Sequence, residues 1–378
     1  MLVYLDHAGS GPLSAAAAEA MISWLGTSFG NPSGSHQVSR RARSAVETAR
    51  EQIADLLGAE AGEVVFTSGG TEDDNLAVLG PLTDRPGAVV VTAVEHPAVV
   101  EAARASGREV RSVGVGRDGL VDLDDLRSSL GPDVAVVSVQ SANHETGVIQ
   151  PLDRVARMVR RHAPAAALHT DAVQAAPWTD LAAIASVSDL VSISAHKLGG
   201  PQGVGALFVR SGIGLAPISH GGGQERERRS GTHNVAAIVG FGAAAALLRD
   251  GEARSARWAR VEQLRDQLMA LILDEVPDAR PTAAAVARVP GHCHLVIPGV
   301  ESESLLFLLD EAGVCASAGA ACASGALEPS PVLLAMGFDK VDAGSGLRLT
   351  LGPTTTGSDV ELAARAVADA VACLRVAR

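Results

Sequence analysis

The stretch Ser194-Ala195-His196-Lys197-Leu198-Gly199-Gly200 places a lysine between an apolar run, residues 190–193, and a glycine-rich turn. Lys197 and Lys340 are the only lysines among 378 residues, although arginine is plentiful. A lysine at the end of a buried strand loses its proton more easily, because burial disfavours the ammonium form. A neutral, held amine is what a Schiff base with a carbonyl cofactor requires. Lys197 is therefore the candidate for amine chemistry. The alternative is that arginine has replaced most lysines in this chain and that Lys197 is an ordinary surface residue.

The run before Lys197 is one of several short apolar segments that alternate with amphipathic segments over the first two thirds of the chain. The predicted buried strands are residues 64–66, 88–91, 134–137, 167–169, 190–193 and 206–209. Segments between them, such as residues 39–57 and 152–162, have apolar positions at helical spacing. This alternation predicts an α/β domain with a mostly parallel central sheet.

A domain change is predicted near residue 250, where charge and a glycine interrupt the apolar pattern. An arginine-rich helix is predicted over residues 253–271, and strands near residues 294–297 and 346–351 predict a smaller C-terminal α+β domain. We therefore expect a large domain over residues 15–250 and a small domain built from residues 1–14 and 251–378.

Composition excludes several classes of protein. The chain is 47% hydrophobic and 20% charged, as in globular enzymes, and its net charge of −12 argues against direct binding of nucleic acid. The N-terminus lacks the features of a signal peptide, and the most apolar stretch, residues 235–248, is too short to span a membrane and predicts a buried helix. Four cysteines without a disulfide or metal spacing predict reduced thiols in a cytoplasmic protein.

A phosphate site is predicted at Ser68-Gly69-Gly70-Thr71-Glu72, which follows the first strand and opens a helix. Glycines such as Gly70 let backbone N–H groups approach an anion, Thr71 adds a hydroxyl, and a helix N-terminus favours negative charge. An ordinary N-cap is the alternative, because Thr71 and Asp74 have the spacing of a capping pair.

Two further strand ends carry polar side chains. Asp171 follows the strand at residues 167–169, where ligands of open α/β sheets bind. Facing a pyridine nitrogen, this carboxylate would keep the nitrogen protonated and make the ring an electron sink. The structural alternative is that Asp171 caps the N-terminus of a helix. His96 follows another strand and could stack on a planar ring, although a lone histidine is more often structural.

The small domain contributes an arginine and a thiol. Arg348 lies inside an apolar strand, so its burial requires an anionic partner, either a substrate carboxylate or a structural acid. Small residues around Cys322, at 317–325, predict a mobile exposed loop with a thiol available for nucleophilic attack. The other three cysteines are predicted to lie in the core. Residues 292–294, His-Cys-His, are not predicted to bind metal, because adjacent strand residues point to opposite faces.

Together these motifs resemble the cysteine desulfurases, pyridoxal 5'-phosphate enzymes of the class V aminotransferase group with fold type I. The resemblance covers nearly the whole chain and is closest to the subgroup with a long cysteine loop. The matching motifs are Tyr4-Leu5-Asp6, Gly30-Asn31-Pro32-Ser33, residues 66–72 with Asn75, Glu95-His96, Asp171-Ala172-Val173-Gln174, Ser194-Ala195-His196-Lys197, Arg229-Ser230-Gly231-Thr232, Cys322 and Arg348.

The resemblance implies a role for each matching residue. Lys197 would be the cofactor lysine, Cys322 the sulfur acceptor, and His96 a stacking and proton-transferring ring. Arg348 would hold the substrate carboxylate. The remaining cofactor contacts would come from Gly70, Thr71, Ser194 and His196 near the phosphate, Asp171 at the ring nitrogen, Gln174 at the ring hydroxyl, and Thr232 of the neighbouring subunit. A contact from a second subunit implies an obligate homodimer.

Three positions depart from the family pattern. His144, after Asn143, stands where a second Asn is usual, and both residues are expected near cofactor and substrate. His144 could replace that contact or alter the substrate preference. Residues 8–12, Ala-Gly-Ser-Gly-Pro, replace a typical Ala-Thr-Thr-Pro run, and Pro353 stands where Arg is common.

The implied reaction converts L-cysteine to L-alanine and leaves sulfur as a persulfide on Cys322 for transfer to an acceptor protein. A selenocysteine lyase or another class V enzyme is the nearest alternative. A scaffold without turnover is the alternative from another class, and Lys197, Asp171 and Cys322 argue against it. The acceptor stays open among an iron–sulfur cluster assembly scaffold, a tRNA-thiolation enzyme, a DNA sulfur-modification system and a biosynthetic pathway.

Overall fold

The computed structural model describes residues 2–319 and 328–376. The predicted loop around Cys322 therefore falls largely outside the described residues. The helices lie at α1 (Ala15–Leu25), α2 (Gln37–Leu57), α3 (Gly70–Leu79), α4 (Pro97–Ala105), α5 (Leu123–Ser129), α6 (Leu152–His162), α7 (Leu181–Val187), α8 (Val235–Ala246), α9 (Gly251–Glu275), α10 (Ser302–Glu311), α11 (Pro331–Ala335), α12 (Lys340–Ala343) and α13 (Gly357–Val376).

The strands include all those predicted in the first two thirds of the chain. They lie at β1 (Val3–Tyr4), β2 (Val64–Thr67), β3 (Ala88–Thr92), β4 (Val110–Val113), β5 (Val134–Ser138), β6 (Ala167–Asp171), β7 (Leu190–Ser194), β8 (Gly205–Val209), β9 (Arg280–Pro281), β10 (His292–Val296), β11 (Val314–Cys315) and β12 (Gly346–Thr350). The sequence pattern missed the two-residue strands β1, β9 and β11. It also missed β4, an edge strand that pairs only with β3 in the described part of the chain and leaves Ser112 exposed.

The central sheet has the strand order β2-β8-β7-β6-β5-β3-β4 within the described ranges. Strands β3 to β7 pair in parallel, whereas β8 runs antiparallel to both of its neighbours. The strands of the central sheet other than β4 are buried along their whole length, because their Val, Leu, Ile and Ala side chains pack under helices such as α2, α6 and α8. The predicted α/β class with a mostly parallel sheet is confirmed, and the carboxyl ends of the parallel strands meet at one edge.

A smaller antiparallel sheet joins β12, β10 and β9, and β1 pairs with β11. Leu347, Leu349 and Cys293 face a core shared with α9 and α13, while Arg348 and His294 lie opposite each other on the other face. The predicted boundary near residue 250 falls between α8 and α9, and the two-domain division remains a prediction.

Two local expectations need correction. Gly69 caps α3, so Thr71 lies within its first turn instead of preceding it. Of the three cysteines expected in the core, only Cys293 is buried among those described. Cys315 is half-buried, and Cys373 is exposed because α13 turns Val367, Ala370 and Val371 inward. In the described ranges, none of the helices combines the length and apolarity needed to cross a membrane.

Candidate functional site

A cavity of about 300 Å³ opens at the carboxyl edge of the central sheet and gathers most of the predicted site residues. Strands β2, β3, β6 and β7 each deliver polar side chains where they end. The cavity is lined by Asp6, Ala8, Gly9, Gly70, Thr71, Asp74, His96, His144, Asp171, Val173, Gln174, Ser194, His196, Lys197 and Arg348. Of these, sequence reasoning gave no role in the site to Asp6, Asp74 and Val173.

Lys197 ends a short turn after β7 and reaches the N-terminal segment. Its Nζ donates to the carbonyl oxygen of Gly9 at 2.8 Å and to that of Ala8. The Gln174 Nε2 donates to the same Ala8 oxygen at 2.9 Å. The segment that departs from the family pattern therefore forms the wall against which the candidate cofactor lysine rests.

His196, beside the lysine, is neutral near pH 7. Burial, reinforced by the neighbouring Lys197 charge, lowers the pKa of His196 to about 4. Its Nδ1 lies 3.2 Å from the Ser10 hydroxyl, so the ring is held against the same N-terminal segment.

Asp171 is buried at the end of β6, and its Oδ1 accepts the Val173 N–H at 2.8 Å. Burial raises the pKa of Asp171, while the charges of His96 and Lys197 act in the opposite direction. Asp74 lies nearby on α3, and burial together with the Asp171 charge raises the pKa of Asp74 well above its usual range. We infer that Asp74 holds a proton and that the carboxylate of this pair is Asp171.

His96 and His144 meet edge to face, with ring centroids 5.2 Å apart. The His96 Nδ1 accepts the Ala98 N–H at 3.1 Å as the N-cap of α4, so the neutral His96 ring carries its proton on Nε2. Burial and the charges of His96 and Arg348 lower the pKa of His144 well below its usual range. The cavity thus holds two imidazoles in contact, one of them kept neutral.

Arg348 is buried and reaches the cavity from the small sheet. One guanidinium nitrogen donates to the His144 carbonyl oxygen at 2.8 Å, and another lies 2.9 Å from Asp6 Oδ1. The buried Nε has no hydrogen-bond partner in the part of the chain that the structure describes. A structural acid therefore does pair with Arg348, and the arginine also lines the cavity.

Gly70 and Ser194 lie together where β2 and β7 end, at the N-terminus of α3. A Cβ on Gly70 would lie 2.8 Å from Val173 Cγ2, so the close approach of backbone here requires glycine. Glu72 accepts the Ser68 N–H at 2.7 Å and pairs with Arg229 at 2.7 Å, which fixes the turn before α3. This end of the cavity has backbone N–H groups and hydroxyls suited to an anion.

Of the predicted site residues that the structure describes, Asn143 and Thr232 do not line this cavity. The Asn143 amide is buried and used by the main chain, donating to Val94 O at 3.2 Å and accepting the Thr146 N–H at 2.8 Å. Thr232 is exposed and lies outside the cavity of its own chain. Cys322 lies outside the described residues, so its role stays a prediction.

Comparison with known proteins gives a consistent result. A family model described as Aminotransferase class-V matches residues 3–362, which include every residue that lines the cavity. An IscS-like cysteine desulfurase from Mycobacterium tuberculosis is 41% identical, with 99% of this chain and 97% of that protein aligned. A NifS-like protein structure has a TM-score of 0.90 at 31% identity, with 99% and 100% coverage. A NifS-like protein from Rickettsia africae has a TM-score of 0.89 at 32% identity, with 98% and 99% coverage.

Proposed function

This chain belongs to the class V aminotransferase family, and from that premise we propose how its residues carry out a cysteine desulfurase reaction. The family and the cysteine desulfurases within it are pyridoxal 5'-phosphate enzymes. The chain is accordingly a cysteine desulfurase, which converts L-cysteine to L-alanine and passes the sulfur to an acceptor protein. The observation that carries the residue assignments is the convergence of Lys197, Asp171, His96 and Arg348 on one cavity.

The donor set of the cavity fits this cofactor. An amine, Lys197, and a buried acid, Asp171, line one space, and the N-terminus of α3 with Gly70 and Thr71 opens into it. When bound, the cofactor supplies an aldehyde and an electron-withdrawing ring. Asp171 would hold the proton of the ring nitrogen, and Thr71, Ser194 and His196 would contact the phosphate.

Substrate would bind on the side of the cavity that faces the small sheet. The Arg348 guanidinium would pair with the substrate carboxylate, since this arginine lines the cavity. Lys197 would remove the proton from the substrate Cα, and His96, whose Nε2 carries a proton when the ring is neutral, would assist later transfers. The Cys322 thiolate would attack the substrate sulfur, so that the S–S bond of the persulfide forms as the substrate Cβ–S bond breaks. The electron pair of that bond would stay with the carbon skeleton, which takes up a proton and leaves as alanine.

A homodimer is part of this proposal. Thr232 is exposed and does not line the cavity of its own chain, so a phosphate contact from Thr232 would have to be made in another subunit. Ile22, Leu25 and Phe29, on α1 and just after it, are 67%, 71% and 73% exposed, an apolar surface of the kind that a second copy would cover.

The proposal is tested first by Cys322→Ser. This variant should bind pyridoxal 5'-phosphate as the wild type does, yet form no protein persulfide when given L-cysteine, as followed by mass spectrometry. Cys373→Ser is the matched control, because Cys373 is also a thiol but is exposed on α13. Normal persulfide on Cys322→Ser, or its loss in Cys373→Ser, would refute the nucleophile assignment.

The proposal includes a cytoplasmic location, which would keep the Cys322 thiol reduced between turnovers.

The substrate preference and the acceptor protein each have a test. Comparing alanine release from L-cysteine and from L-selenocysteine separates the desulfurase from a lyase specific for selenium. Trapping of a mixed disulfide on Cys322 identifies the acceptor protein.

A further inference from the structure

A strained turn precedes the exposed Thr232. Glu225, Arg226 and Glu227 have φ values of +50°, +58° and +65°, and none of them is glycine. Side chains with a Cβ pay a steric cost in this left-handed region, so three such residues in a row persist only where neighbouring contacts determine the backbone. Strain of this kind is often found next to functional sites.

The contacts that hold this turn converge on the Glu225 carboxylate, whose side chain is 2% exposed. Arg50 donates to both oxygens, at 2.7 and 2.8 Å. The Phe66 N–H donates to Oε2 at 2.9 Å, and His233 Nε2 donates to Oε1 at 2.6 Å. Burial would raise the pKa of Glu225, but these donors hold it at about 2, so the group is a carboxylate at any pH of interest.

These donors connect separate elements. Arg50 belongs to α2, and Phe66 belongs to β2, the strand that leads into the Gly70 turn of the cavity. His233 directly follows Thr232. On the other side of Thr232, the Gly231 N–H donates to the side-chain oxygen of Gln224 at 2.9 Å. Thr232 is therefore exposed on a segment with one flank, His233, bonded to the strained turn and the other, Gly231, bonded to Gln224, the residue just before that turn.

We propose that Glu225 is a positioning residue, which holds Thr232 in place for the cofactor phosphate of the neighbouring subunit. The proposal rests on the proposed function, since it takes pyridoxal 5'-phosphate and the homodimer from there. Without the carboxylate, the left-handed turn loses the contacts that oppose its strain, and the His233 flank is released. The Thr232 segment then has to become ordered when the cofactor binds, and the entropy lost in that ordering weakens cofactor binding.

The test compares Glu225→Gln, Thr232→Ala and the double variant. Each is purified as holoenzyme, and the dissociation constant follows from the pyridoxal 5'-phosphate retained after dilution, with dimerisation checked by ultracentrifugation. Both single variants should bind the cofactor about tenfold more weakly, the loss expected for a hydrogen bond to a charged group. Because Glu225 acts through Thr232, the double variant should be no weaker than Thr232→Ala alone.

Asp189→Asn is the matched control for a general loss of stability. Asp189 is also buried, receives two hydrogen bonds from Arg160 at 2.9 and 2.7 Å, and accepts the Leu168 N–H at 2.8 Å. It precedes β7, at the end of that strand opposite Ser194. Asp189→Asn should lower the unfolding midpoint as Glu225→Gln does, yet leave the cofactor dissociation constant within about twofold of wild type, since no phosphate contact depends on it.

A second variant, His233→Ala, removes only the link between Glu225 and the Thr232 flank, and it should weaken cofactor binding as Glu225→Gln does. Wild-type affinity in both Glu225→Gln and His233→Ala would overturn the inference. So would equal weakening in Asp189→Asn, or additive losses in the double variant. A wild-type protein that binds no pyridoxal 5'-phosphate would instead refute the proposed function.

Discussion

The guanidinium of Arg348 and the carboxylate of Asp6 lie 2.9 Å apart, although 342 positions separate them in the chain. This pair joins the small sheet to the N-terminal segment whose Ala8 and Gly9 carbonyl oxygens accept hydrogen bonds from Lys197. One ion pair thus connects the candidate residue for substrate binding to the wall beside the candidate cofactor lysine.

Arg348→Ala should raise the KM for L-cysteine by at least about tenfold, because a charge-assisted hydrogen bond to the substrate carboxylate contributes about 1.5–3 kcal/mol. Asp6→Asn serves as the comparison, since its amide oxygen can still accept the Arg348 hydrogen bond and a rise of no more than about threefold is expected. Steady-state alanine release measures both. An unchanged KM in Arg348→Ala would exclude the carboxylate contact.

The two neighbouring acids of the cavity should respond differently to amide substitution. Asp74→Asn should keep activity within about threefold, because burial raises the pKa of Asp74 and favours its neutral form, which the amide matches closely in shape and charge. Asp171→Asn should lower kcat by about a hundredfold or more, since it removes the carboxylate assigned to the ring nitrogen. Alanine release under saturating cofactor measures both. A reversed order would place the functional carboxylate at position 74.

Stability should fall between about pH 4.5 and 7 because of Glu145. Burial raises the pKa of Glu145 to about 7, although the Ser330 hydroxyl and the Arg348 charge act in the opposite direction. A carboxyl with a raised pKa in the folded state contributes stability that is complete below its unfolded pKa and is lost as the pH rises through the folded pKa. The loss is at most about 3 kcal/mol.

Glu145→Gln should therefore gain stability relative to wild type as the pH rises across that window, as measured by urea unfolding at several pH values. Glu311→Gln, on the exposed end of α10, is the control and should follow the wild-type curve. If the difference in the free energy of unfolding between Glu145→Gln and wild type stays constant across this pH range, Glu145 has the same pKa in the folded and unfolded states.

Gly147 and Gly203 offer a matched pair for a packing test. Their φ values are +76° and +78°, so an added Cβ meets the same backbone strain, roughly 1 kcal/mol, at each. At Gly147 that Cβ would lie 2.6 Å from the Cβ of His292, whereas nothing lies within 4 Å at Gly203. Gly147→Ala should cost at least about 2 kcal/mol more in the free energy of unfolding. Equal losses would mean that His292 can move aside.

The sequence predicted those parts of the site that depend on local pattern. The strand ends that carry Asp171 and Ser194 are recognisable because runs of β-branched and aliphatic residues precede them. Arg348 is recognisable because a charge within an apolar strand needs a partner. Both signals lie within a few residues of the group concerned.

Contacts between distant segments could not be predicted in this way. No sequence pattern predicts the contact of Arg348 with Asp6, or that of Glu225 with Arg50, which lies 175 positions away. The acidic pair Asp73-Asp74 resembles an exposed first turn of a helix, yet Asp74 is 2% exposed under the sheet. The Asn143 amide satisfies main-chain groups instead of lining the cavity, because the loop after β5 needs it there.

Strand β12 also sets a condition on assembly of the site. Leu347 and Leu349 face the core while Arg348, between them, faces the cavity. Sliding β12 by one residue against β10 would bury the guanidinium among leucines and turn an aliphatic side chain toward the substrate. Pairings of these strands that bury Arg348 without an acid are thus penalised during folding, and the group assigned to substrate recognition also selects the native alignment.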